Sequence, residues 1–74
     1  MSESAPVWRN RIKEHREALG ISQAELARRI GTTRQHLSLL ESQQKVATVE
    51  TLLRLEREFG CGLDDLIEIE GEQE

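Results

Sequence analysis

Cysteine occurs once in the 74 residues, at Cys61, and proline once, at Pro6. A single thiol excludes an intrachain disulfide and a Cys-x-x-Cys metal pair, so a reducing, cytoplasmic setting is expected. No apolar run approaches the roughly 20 residues that cross a bilayer, and the opening MSESAPVWRN lacks the apolar stretch of a secretory signal, so neither membrane insertion nor export is expected. His15 and His36 lie on different helical segments, with Cys61 as the single thiol, which leaves no metal set and no Cys/His dyad. There is no glycine-rich phosphate loop, and the acidic pair Asp64-Asp65 falls at a helix start. The expectation is a protein that is not an enzyme, with no cofactor, no metal and no small-molecule substrate.

Positive charge is absent from residues 58–74, which hold seven acids, whereas residues 1–57 hold all ten Lys and Arg against seven acids. The net charge of −4 is therefore a body of +3 joined to an end of −7. The acidic end either keeps a small protein soluble or repels polyanions and leaves the basic face as the productive surface. A chain this short makes one domain that buries only roughly 60% of its unfolded surface, so its stability is modest.

What is present is a run of capped helices. Ser22-x-x-Glu25 reads as a capping box, with Ser22 accepting from the Glu25 N–H and the Glu25 carboxylate reaching back to the Ser22 N–H. A helix 23–30 follows and is closed by Gly31, and Thr33 is a suitable N-cap for a second helix over about 34–42. Leu26 and Ile30 on the first, with Leu37 and Leu40 on the second, set apolar stripes on facing sides, and Ala27 is small where the two must approach closely. Two short helices on a tight turn with these features form a helix-turn-helix over 23–42.

Around this motif the pattern predicts a polar leader over residues 1–8 that runs into a helix from Trp8 to Leu19, with Trp8, Ile12, His15 and Leu19 on one side and Gly20 at its end. Residues 43–47 form a loop. Thr48 caps a fourth helix in which Val49, Leu52, Leu55 and Phe59 face inward, and a short fifth helix spans 63–67. His15 reads as a half-buried helix residue and Cys61 as a small core filler beside Phe59. The acidic end, residues 68–74, is open to either an edge strand or a disordered tail. The expected architecture is an all-α bundle of five helices, with the domain over residues 9–67.

The runs NRIKEHREALGISQAELARRIGTTRQHLSLLE and TVETLLRLEREFGCGLDDLI resemble the Cro/CI-type (XRE-family) helix-turn-helix regulators from Asn10 to Leu66. The resemblance implies a lambda-repressor-like fold and sequence-specific binding to duplex DNA for transcription regulation, commonly as a homodimer on a palindromic operator, in the cytoplasm and on the nucleoid when bound. It implies an ion pair between Arg16 and Glu41, and a DNA phosphate contact at Gln23. Thr33, Arg34, Gln35 and Ser38 open the recognition helix, whose first residues reach base edges in the major groove. Arg34 suits guanine and Gln35 suits adenine, each with phosphate contact as its alternative. His36 and Lys45 are candidate phosphate contacts, or simply exposed.

Three positions depart from the family pattern. Leu39 replaces a residue that is usually polar or basic, and would pack on a thymine methyl or on a protein partner. Residues 42–47 lack the glycine and proline common after the recognition helix, so either the helix runs on or the loop loosens. Glu56 stands where a small apolar residue is preferred and is expected to reach solvent or an arginine. Leu63, Ile67 and Ile69, and secondarily Val46, are the apolar groups available for a dimer seam. Leu39, the altered loop and the acidic end also support an alternative, a protein-interaction module (antitoxin-like or an adaptor) that uses this fold without base readout.

Overall fold

A computed structural model of the chain describes residues 7–70. Residues 1–6 of the expected leader, and residues 71–74 of the acidic end, lie outside that range. The order is β1 (Val7–Asn10), α1 (Ile12–Leu19), α2 (Gln23–Ile30), α3 (Arg34–Glu41), α4 (Val49–Phe59), α5 (Leu63–Leu66) and β2 (Ile67–Glu70). The five helices form the body. The two strands pair antiparallel, with Trp8 opposite Ile69 and Asn10 opposite Ile67.

Each of the five helices sends at least one side chain into a single core. Ile12, Leu26, Leu37, Leu40, Leu55 and Leu66 are completely buried, and Ala27, Ile30, Ala47 and Leu52 close the gaps between them. Each large side chain removed from water contributes roughly 1.5–3 kcal/mol, which is what holds helices of eight residues that would not persist alone. Ala27 is buried in α2, which packs directly on α3.

The turn between α2 and α3 follows from its residues. Gly31 adopts φ 75°, and the N–H groups of Gly31 and Thr32 return to the carbonyls of Arg28 and Ala27, a Schellman closure. A side chain at Gly31 would also meet Arg54 Nη1 at 3.1 Å, and that guanidinium group caps α2 by donating to the Ile30 carbonyl. Thr33 then caps α3 by accepting from the His36 N–H.

Several expectations are corrected. The helix expected from Trp8 begins only at Ile12, because Asn10 stops it: its Oδ1 accepts the Ile12 N–H while its Nδ2 donates to the Leu40 carbonyl. Trp8–Asn10 pair instead with β2, so the open end of the sequence resolves to a strand at Ile67–Glu70, and the expected span of the fifth helix ends at Leu66. The capping box is half made. Ser22 accepts from Glu25 N, but the Glu25 carboxylate takes Arg28 and Arg29 instead. Val49, expected inside, is 72% exposed.

The loop after α3 solves its missing glycine differently. Gln43 holds φ 66°, the left-handed region that costs a side-chain-bearing residue about 1–2 kcal/mol. Its amide offsets the cost by clamping β1: Oε1 accepts the Asn10 N–H at 3.0 Å, and Nε2 donates to the Asn10 carbonyl at 3.1 Å. The edge of β1 is thereby closed where it meets α3. Glu56 is half-buried and, among the described residues, meets no arginine.

Candidate nucleic-acid interface

The exposed start of α3 carries Thr33, Arg34 and Gln35, with His36, Ser38 and Leu39 half-buried along the same helix. Leu39 is therefore not the exposed apolar group its position implied. Lys45 is exposed on the following loop, which is tied back through the Leu39 carbonyl to the N–H groups of Gln44 and Lys45.

Behind this surface, one chain of hydrogen bonds links four side chains. Arg16 on α1 grips Glu41 with two donors, Nε to Oε2 at 2.7 Å and Nη2 to Oε1 at 3.1 Å, and its Nη1 donates to the Ile21 carbonyl. The pair is removed from water, with side chains 12% and 4% exposed. Glu41's hydrogen bonds raise the Arg16 pKa further, against the opposing effect of burial. Glu41 Oε1 also accepts from Gln23 Nε2 at 3.0 Å, and Gln23 Oε1 in turn accepts from Arg34 Nη1 at 3.4 Å. The buried ion pair thus aims the amide that opens α2, and that amide steadies the guanidinium that opens α3. Both lie at helix N-termini, where unpaired N–H groups and the helix dipole favour anions.

Intramolecular pairing sorts the cations. Arg11 meets Glu68, Arg28 and Arg29 share Glu25, Arg29 also reaches Glu58, and Arg54 meets Glu50. Among the described residues, Lys13, Arg34, Lys45 and Arg57 have no carboxylate partner. Lys13 was not singled out by sequence. It lines a shallow depression with Gln23, Ser38 and Ser42, close to the start of α2. Its position three residues before Arg16 on α1 was the available signal, because the two share a helix face.

Other polar groups are committed to structure. His15 stacks on Phe59 with ring centroids 5.2 Å apart and donates from Nε2 to the Asp65 carbonyl at 2.8 Å. Burial, with Asp65, Glu56 and Asp64 nearby, raises the pKa of the Cys61 thiol and disfavours its thiolate. Among the described residues no group of His, Cys, Asp and Glu is placed to hold a metal ion, and no helix is long and apolar enough to cross a membrane.

Residues 12–66 match the family model described as helix-turn-helix. The chain belongs to the Cro/CI-type helix-turn-helix family. It is a DNA-binding transcription regulator by family and not an enzyme. An uncharacterised HTH-type transcriptional regulator of Methanothermobacter thermautotrophicus is 40% identical over 52 residues, covering 70% of this chain and 75% of that protein. A second, from Archaeoglobus fulgidus, is 29% identical over 65 residues, covering 88% and 93%. Among solved structures, the P22 c2 repressor in complex with a synthetic operator superposes with a TM-score of 0.67 at 31% identity, covering 70% of this chain and 79% of that one.

Proposed function

We propose that this regulator reads a specific duplex sequence by laying the N-terminal half of α3 in the major groove, as a homodimer on a palindromic operator, in the cytoplasm and on the nucleoid when bound. The observation that carries the proposal is Arg34: exposed, without a carboxylate partner among the described residues, and oriented from behind by Gln23. A guanidinium so placed can take guanine O6 and N7 together, and Gln35 beside it can take adenine N6 and N7. Thr33, His36 and Ser38 lie along the same helix. Gln23, Lys13 and Lys45 supply phosphate contacts on either side, which position the protein without reading sequence. Leu39 contributes its partly exposed edge to a thymine methyl.

Selection of bound duplexes from a random pool defines the site, and two variants then separate the roles. Arg34→Ala is expected to cost roughly 1–3 kcal/mol of binding and to relax preference at one base pair, whereas Gln23→Ala weakens all sequences about equally. Unchanged affinity and preference in Arg34→Ala would show that a different face meets DNA.

The exposed apolar residues of α4 keep a protein-interaction module in view as a second reading. A salt titration separates the two. The log affinity of a DNA contact falls linearly and steeply with log salt, while an apolar protein contact is much less sensitive.

A further inference from the structure

The expectation that Val49 faces the core fails, and that failure exposes a surface. Val46 is 70% exposed, Val49 72% and Leu53 56%, and the last two lie one turn apart on the outer side of α4. We infer that two copies of this chain pair through this face, with the α4 helices antiparallel about a two-fold axis beside Leu53. The inference names the seam of the homodimer proposed above and rests on that part of the reading.

The charge pattern selects the partner and its direction. At about 100° per residue, Glu50 and Arg57 fall on the same flank of the Val49–Leu53 stripe, about 10 Å apart along the axis, with the acid towards the N-terminal end and the base towards the C-terminal end. An antiparallel second copy sets Glu50 against Arg57 of the other chain, twice by symmetry, with Leu53 meeting its own copy between them. A parallel copy would put the two charged flanks on opposite sides of the seam, where neither pair could form. Both groups are available: Arg57 has no carboxylate partner among the described residues, and the Glu50 side chain is 73% exposed, with its Oε2 engaged by Arg54.

The sheet is a poorer seam. Ile67 is packed against the core, and adding a second β2 antiparallel at the outer edge would bring Glu68 against Glu68 or Glu70 of the other copy, since isoleucine and glutamate alternate along the strand. Leu63, 43% exposed, stands alone on a single helical turn beside Asp64 and Asp65.

The apolar stripe is small beside the roughly 800 Å² that each partner gives a stable interface, so the pairing is weak in free solution. It gains strength when two copies occupy adjoining half-sites, where effective concentration replaces bulk concentration.

Self-association is measured without DNA, so its failure is separate from any failure of base reading. In a Cys61→Ser background, Leu53→Cys is expected to form a disulfide-linked dimer on mild oxidation at high protein concentration, and Ala18→Cys on the exposed side of α1 is not. By sedimentation, Leu53→Glu should weaken self-association by about tenfold or more, because it sets two carboxylates at the axis. Glu50→Arg and Arg57→Glu should each weaken it, and the double reversal should recover most of the loss. Cross-linking of Leu53→Cys no faster than of Ala18→Cys, or a double reversal no better than the singles, overturns the assignment.

Discussion

Replacing Glu41 by alanine tests the centre of the arrangement. The carboxylate accepts two bonds from Arg16 and one from Gln23, in a position where the two charged side chains are 12% and 4% exposed. Breaking a buried pair from one side leaves the other charge uncompensated, which costs about 3–5 kcal/mol. Arg16 keeps its bond to the Ile21 carbonyl and some contact with water, so the lower end, about 3 kcal/mol, is expected. A domain of this length has a total stability of only about 4–11 kcal/mol, so the loss is a large share of it. At about 4–8 °C per kcal/mol, the melting temperature should fall by about 12–24 °C. Urea unfolding followed by circular dichroism gives the free energy, and the double variant Arg16→Met/Glu41→Leu gives the control. With both charges removed, the double variant should be more stable than Glu41→Ala. DNA affinity should also fall below the melting range, because Gln23 and, through it, Arg34 lose their support. A loss below about 1 kcal/mol would place Arg16 and Glu41 with ordinary surface pairs and refute the reasoning.

Two further expectations follow from single residues. Gln43→Ala keeps the left-handed backbone but loses the bonds to Asn10, and at about 0.5–1.5 kcal/mol per bond it should destabilise by about 1–3 kcal/mol. Gln43→Gly loses the same bonds but relieves the strain, so it should be more stable than the alanine variant by about 1 kcal/mol in urea unfolding; equal stabilities would show that the backbone there is unstrained. Arg28 first, and then Arg29, hold the Glu25 carboxyl down from 4.5 to about 2. A depressed folded pKa contributes stability above the unfolded value that is lost as pH falls through the folded one. Melting temperatures of the wild type and Glu25→Gln should therefore differ above pH 4.5 and converge as the pH approaches about 2. A gap that stays constant across this range would rule the carboxylate out as its source.

The helix ends were legible because each is set within one turn of chain. Ser22, Thr33 and Thr48 each accept the N–H three residues ahead, and Gly20, Gly31 and Gly60 each take the left-handed backbone that closes a helix. The inner stripe of Leu26, Ile30, Leu37 and Leu40 was legible for the same reason, since helical spacing alone puts those residues on facing sides. Trp8 and Val49 misled because an apolar residue at helical spacing does not say whether a neighbour will cover it. Trp8 went to a strand that pairs across nearly the whole chain, and Val49 was left in solvent. At the candidate interface the residue types on α3 were readable. The bond from Arg34 to Gln23, the availability of Lys13, and the half-burial of Leu39 were not, because each depends on which helix arrives alongside.

The sequence by itself determined five helices, the side-chain caps of three of them, the tight turn at Gly31, and a basic body joined to an acidic end, because caps, left-handed glycines and charge are local properties. Only the tertiary structure decided that Asn10 and Gln43 tie the first strand to the loop after α3, that Glu41 serves Arg16 and Gln23 together, and which cations remain without a carboxylate. Those outcomes are contacts between residues distant in sequence, and a contact of that kind exists only once the core has packed.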